Sequence, residues 1–317
     1  VYQSDLAGVV EADEAWPTTP TFEWLEPQAL PREARRWYHW LGPAISGLIL
    51  AAVLFQVDRF DLHGVWKAIP SAPAFWLFFV AYYLAGPISE WIIFRRLWSL
   101  PTSGLPILLQ KYVGNEIVLG YLGEAYFYGW ARSKLTLTAA PFGAVKDVAI
   151  LSAISGNLMA LAMLGIAWPF LGSLQIGLYG QTAIMSVAAL SLTSLIAMAF
   201  RRQLFSLPRN DLSFILKMHL ARITMATVCM ALMWHAALPQ VAVGLWLALG
   251  ALRLLVSRLP LVPNKDLVFA GISVFMAGSA ASQTNMLAII ASLILAMHLL
   301  VGSGLGVAQL LSLGASR

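Results

Sequence analysis

The sequence predicts an all-α, polytopic membrane helix bundle of about eight spans, with one or two re-entrant or broken helical hairpins. Three observations carry that expectation. Charged residues make up 11% of the chain and hydrophobic ones 59%, whereas a soluble domain carries about 25% charged residues. Apolar stretches near the ~20 residues that a spanning helix needs follow one another from residue 41 onward. The basic residues gather in alternate loops, as the positive-inside rule asks of a chain that crosses repeatedly.

Residues 1–40 form a separate region, an acidic tail followed by an interfacial anchor. Seven of the 15 acidic residues of the chain fall here, and Pro17, Pro20, Pro27 and Pro31 break any long helix. Trp16, Phe22 and Trp24 punctuate the tail, and "PREARRWYHW" after them mixes Arg with Trp and Tyr, the chemistry of a headgroup-level anchor. A disordered tail and a tail docked on a partner protein are the other readings. No charged-then-apolar signal segment is visible.

Residues 41–317 read as one membrane domain. Uninterrupted candidates for spans are 41–57, 73–94, 148–170, 175–200, 214–236, 239–257 and 285–312, while 105–131 and 260–282 are apolar but interrupted. Arg32, Arg35 and Arg36, Arg95 and Arg96, Arg132 to Lys146, Arg201 to Arg209, and Arg258 with Lys265 fall on one face if 105–131 enters and leaves on the same side. Both termini are then cytoplasmic, in an inner (cytoplasmic) membrane. The net charge of +5 follows as a topology signal and as contact with anionic lipid; nucleic-acid binding would need a folded basic domain. One cysteine, Cys229, excludes an internal disulfide or a multi-cysteine centre, and the five histidines show no metal-ligand spacing. No cofactor is expected.

"GNEIVLGYLGEAYFYGWAR", residues 114–132, holds the chemistry. On one continuous helix Tyr112, Glu116, Gly120, Glu124, Tyr128 and Arg132 recur at i, i+4 and share a face. Glycines at 120 and 123 permit a break. Ionisable groups at membrane depth lean towards function, and irregular backbone there must line protein or a cavity. The plain alternative is that Glu124 and Arg132 pair with each other or with neighbours to hold helices together. Late in the chain, "RLPLVPNKDLVFAG" is a second interrupted element; an early and a late break together suggest an inverted repeat, and an ordinary cytoplasmic turn between two spans is the other reading. Asp147 opens the span after the first break, where an acid also suits a helix N-terminus. Arg222 lies deeper than a snorkelling side chain and could hold a lipid phosphate.

The order of these features resembles the membrane domain of the lysylphosphatidylglycerol synthase, flippase-like family. Asn115, Gly123-Glu124 and Arg132 are similar to its early motif, Asp147 to its following aspartate, and "LPLVPNKDLVFAG" to its proline-rich re-entrant element. The chain departs from the pattern in lacking a proline in the first motif and glycines in the second. The resemblance implies a flippase-like module without a synthase domain. Its site would comprise Glu124, Arg132, Asn115 and Asp147, to which the stripe adds Glu116 and Tyr128 and the depth argument Arg222; its partners would be anionic phospholipid or a lipid-linked substrate. The leading expectation is a lipid or lipid-linked-substrate translocator that is not an enzyme. The alternative is a non-catalytic subunit or assembly factor of a larger membrane complex, reached through the tail. A lipid-modifying enzyme with Glu124 as general base comes third, because neither nucleophile nor metal cluster accompanies it.

Overall fold

The computed structural model describes residues 70–118, 122–134, 141–173, 178–200, 205–258, 264–276 and 281–315. The acidic tail, the expected span at 41–57, Gly120, Pro260 and Pro263 lie outside the described residues. Among the described residues every regular element is helical. The order is α1 (Pro73–Trp98), α2 (Leu105–Ile117), α3 (Leu122–Lys134), α4 (Pro141–Ala167), α5 (Leu178–Phe200), α6 (Arg209–Ala237), α7 (Val243–Val256), α8 (Lys265–Met276) and α9 (Ala281–Ala315).

Among the described residues four helical stretches are long and apolar enough to cross a membrane: Pro73–Trp98, Phe142–Phe170, Arg209–Ala237 and Asn285–Gln309. Their outward faces are as apolar as their buried ones. Leu77, Val80, Leu158, Val228 and Leu300 stand exposed on them, which suits a hydrocarbon surround and not water.

Local chemistry sets the ends of α1. Pro73 occupies its first turn, where the missing N–H costs nothing. Ser99 stops it in the left-handed region with φ 52°, and Arg95 and Arg96 sit in the last turn, favourably placed against the helix dipole. The first turn of α6 carries Asp211, which Arg96 Nε reaches at 3.1 Å. The last turn of α1 thus lies beside the first turn of α6, so the two helices run antiparallel along the main seam of the bundle. Phe75, Phe79, Met233, Trp234 and Trp246 fill the core at the far end of that seam.

The remaining four short helices form pairs. Helices α2 and α3, 13 residues each, are about 20 Å long at 1.5 Å per residue, short of the ~30 Å hydrocarbon core. They pack on each other, and α3 returns to the Arg95/Arg96 end of α1, where Phe127 stacks on Trp98 at 6.0 Å. Helix α7 has 14 residues and α8 has 12, about 21 and 18 Å. A short link from the end of α6 starts α7 at the opposite end of the bundle, with Trp246 against Trp234 at 5.5 Å. The expectation that 239–257 spans as one uninterrupted helix therefore meets a helix only two-thirds of the required length. The interruption expected in 105–131 is present, between Ile117 and Leu122.

Candidate functional site

The first hairpin is locked by side chains that only a close antiparallel pair can bring together. Asn115 Oδ1 accepts the Gly123 N–H at 2.7 Å, and its amide Nδ2 donates to Glu124 Oε1 at 3.2 Å. One side chain at the end of α2 therefore caps the start of α3 and orients its carboxylate. Gly123 is required for the approach, because a Cβ there would run into the Lys111 carbonyl oxygen. Further down, the Tyr126 hydroxyl donates to Gln110 Oε1 at 2.8 Å. Glu124 lies in the first turn of α3, where the helix dipole also favours its charge.

Glu124 is held by a residue that the sequence reading did not single out. Lys111, 4% exposed, places Nζ 2.7 Å from Glu90 Oε2 on α1 and 3.4 Å from Glu124 Oε1. Two carboxylates share one ammonium, so the trio carries a formal charge of −1, and Glu124 Oε2 is buried without a hydrogen bond. The signal was available: Lys111 is an ionisable residue inside an apolar stretch, the same criterion that drew notice to Glu124.

The second hairpin carries its own buried pair. Arg253 on α7 meets Asp266 in the first turn of α8, Nη2 to Oδ1 at 2.7 Å and Nε to Oδ1 at 2.8 Å. Tyr82 on α1 joins both, accepting from Arg253 Nη2 and donating to Asp266 Oδ2 at 3.3 Å. The pair ties the two legs of the hairpin to each other and to the main seam.

The two hairpins meet at their tips. The Asn264 N–H, one residue before α8, donates to the Glu116 carbonyl near the end of α2 at 2.8 Å. A helix end leaves its last carbonyls without partners, and the opposing hairpin satisfies one of them. Asn264 is in the left-handed region at φ 49°, which asparagine tolerates better than most residues. Glu116, Asn264, Asp266 and His298 line a cavity of about 10 Å³ at this junction, room for about one water molecule. Among the described residues no hydrogen bond reaches the Glu116 carboxylate; Lys265, Arg253 and Arg258 are its cationic neighbours.

The structure separates the residues that a single helical stripe would have aligned. Glu116 faces the second hairpin, Glu124 faces Lys111, and Arg132 Nη1 donates to the Tyr128 hydroxyl at 2.8 Å near the outer end of α3. Glu124 and Arg132 are eight residues apart on one helix, about 12 Å along its axis, so they do not form a common site. Asp147 is fully buried and accepts the Ser206 and Leu207 N–H groups at 2.7 and 2.8 Å. It acts there as a clasp between the starts of α4 and α6. Arg222 donates to Ser152 Oγ at 3.1 Å. Among the described residues no three His, Cys, Asp or Glu side chains group to hold a metal ion.

No family model, curated protein or solved structure matches the chain.

Proposed function

We propose that this chain is a membrane carrier for a lipid or lipid-linked substrate, with its site at the junction of two re-entrant hairpins. The observation that carries the reading is the contact of Asn264 with Glu116. Two helix pairs too short to cross enter from opposite ends of the bundle and touch where Glu116, Lys265 and the Arg253–Asp266 pair gather. Broken helices whose ends converge near the bilayer midplane are how inverted-repeat transporters build substrate sites.

The order of elements supports the repeat. The expected span at 41–57, α1, the α2–α3 hairpin and α4 make one half; α5, α6, the α7–α8 hairpin and α9 make the other. The halves have opposite directions. Equivalent helices α1 and α6 then lie side by side and antiparallel, as a two-fold axis in the membrane plane requires. The count becomes six crossings and two hairpins, and both termini fall on the basic face. The resemblance to the flippase-like family supports a lipid headgroup as the cargo, with the tails left in the bilayer.

Among the described residues the junction holds room for about one water molecule. Passage requires the tips to part and the Asn264–Glu116 bond to break. Headgroup accessibility in reconstituted vesicles tests the reading. Glu116→Gln and Asp266→Asn are expected to slow movement tenfold or more, while Arg132→Ala, remote from the junction, leaves it near wild type. Wild-type vesicles no faster than empty ones would overturn the carrier. Co-purification with other chains after mild extraction would then put an assembly subunit in its place.

A further inference from the structure

We infer that Arg222 forms an oxyanion-binding site within the bundle, fitted to a phosphate group. Arg222 is the fourteenth residue of the 29-residue α6, about 20 Å from either end at 1.5 Å per residue. That is beyond the reach of a side chain snorkelling to the headgroups. A cation at such depth ordinarily answers to a carboxylate, as Lys111 and Arg253 do here. Among the described residues Arg222 has none: its one hydrogen bond there goes to the neutral Ser152 Oγ at 3.1 Å, and its Nε is buried without an acceptor. A guanidinium offers five N–H donors in a planar fork, and Ser152 uses one of them.

Among the described residues no carboxylate forms an ion pair with the guanidinium. Gly86 on α1 faces it, and a Cβ placed there would stand 3.9 Å from Arg222 Nη1 and from the Tyr112 ring. A methyl there would make ordinary contact, whereas a larger side chain at position 86 would crowd the guanidinium. His219, one turn earlier on α6, is fully buried, and neither ring nitrogen makes a hydrogen bond of regular geometry beside the Val148 backbone. Lys111, which also acts on His219, brings its own carboxylates, Glu90 and Glu124. An uncompensated guanidinium with adjoining hydroxyl and imidazole groups matches a tetrahedral oxyanion, which takes paired N–H donors in a bidentate contact. The ligand is the phosphodiester of a lipid headgroup or free inorganic phosphate. This names the cargo chemistry for the carrier proposed above and rests on that reading only for movement, because binding is measured by itself.

The full chain, purified into detergent and into phosphatidylcholine nanodiscs, is tested with two probes: inorganic phosphate by calorimetry and phosphatidylglycerol by native mass spectrometry. Wild type is expected to bind at least one of them. Arg222→Gln weakens that binding tenfold or more, and Arg222→Lys is intermediate because charge stays while the fork is lost. Gly86→Leu keeps the charge but fills the approach, and is expected to lose binding as well. It gives an independent reading if the Arg222 variants fail to fold by circular dichroism. Phosphatidylglycerol retained against millimolar phosphate identifies the lipid as the source; displacement by phosphate identifies the free anion. Equal binding by wild type, folded Arg222→Gln and folded Gly86→Leu overturns the site. Intact binding with no movement in vesicles would remove the carrier and leave the anion site standing.

Discussion

Removing the ammonium shared by Glu90 and Glu124 should be the most damaging single change in the first hairpin. In Lys111→Met a side chain of similar length replaces a cation that is 4% exposed and lies 2.7 and 3.4 Å from two carboxylates. Those distances put the two carboxylate oxygens at most about 6 Å apart, which at an effective dielectric of ~20 means a repulsion of ~3 kcal/mol. Breaking a buried pair by removing one partner costs about 3–5 kcal/mol in general, and the two estimates agree. One neutralised acid should relieve most of the damage, so Lys111→Met with Glu90→Gln is expected to recover over half of the loss. The assay is reversible unfolding of the full chain in mixed micelles, run as a double-mutant cycle. A loss under ~1 kcal/mol in Lys111→Met, or no recovery in the double variant, would refute the account of Lys111 as the neutralising group.

Gly123→Ala should part the hairpin, because the new methyl meets the Lys111 carbonyl; overpacking of this kind costs about 1–3 kcal/mol, read as lowered unfolding stability and faster proteolysis between Ile117 and Leu122. Asp147→Ala should cost about 2–3 kcal/mol by leaving two backbone N–H groups without their charged acceptor, while Asp147→Asn, which keeps a neutral acceptor, should cost roughly half as much. Asp266→Ala leaves Arg253 buried without its carboxylate, a loss of about 3–5 kcal/mol, and Tyr82→Phe should cost only ~1 kcal/mol. The same unfolding assay ranks all of these variants.

Composition and hydropathy made the membrane class legible, because a chain with so few charges has no other solvent. That the helix ending at Ile117 stops short of the second glutamate was legible too, since glycine beside glutamate in an apolar run marks a place where a helix does not simply continue. The partners of the charges were not. Reading Tyr112, Glu116, Glu124 and Arg132 as one stripe assumed continuous helical phase, and the turn after Ile117 destroys that phase. Glu124 therefore points back at Lys111, a residue 13 positions earlier. Arg253 gave no such sign, because its acid, Asp266, lies 13 positions later on the next helix, and local sequence does not show which charges two helices bring together. The shortness of α7 was hidden for the same reason: an apolar run shows how much chain lipid can accept, not how deep it goes.

The clasp made by Asp147 has a mechanical consequence. Its carboxylate grips the backbone just ahead of α6 while its own helix is α4, so the feet of these two rods are riveted together. Neither can slide lengthwise past the other without tearing two charge-assisted bonds at once. Any rearrangement of the bundle that keeps these bonds must swing α4 and α6 as a single lever, pivoting about that rivet at the end where Arg96 meets Asp211.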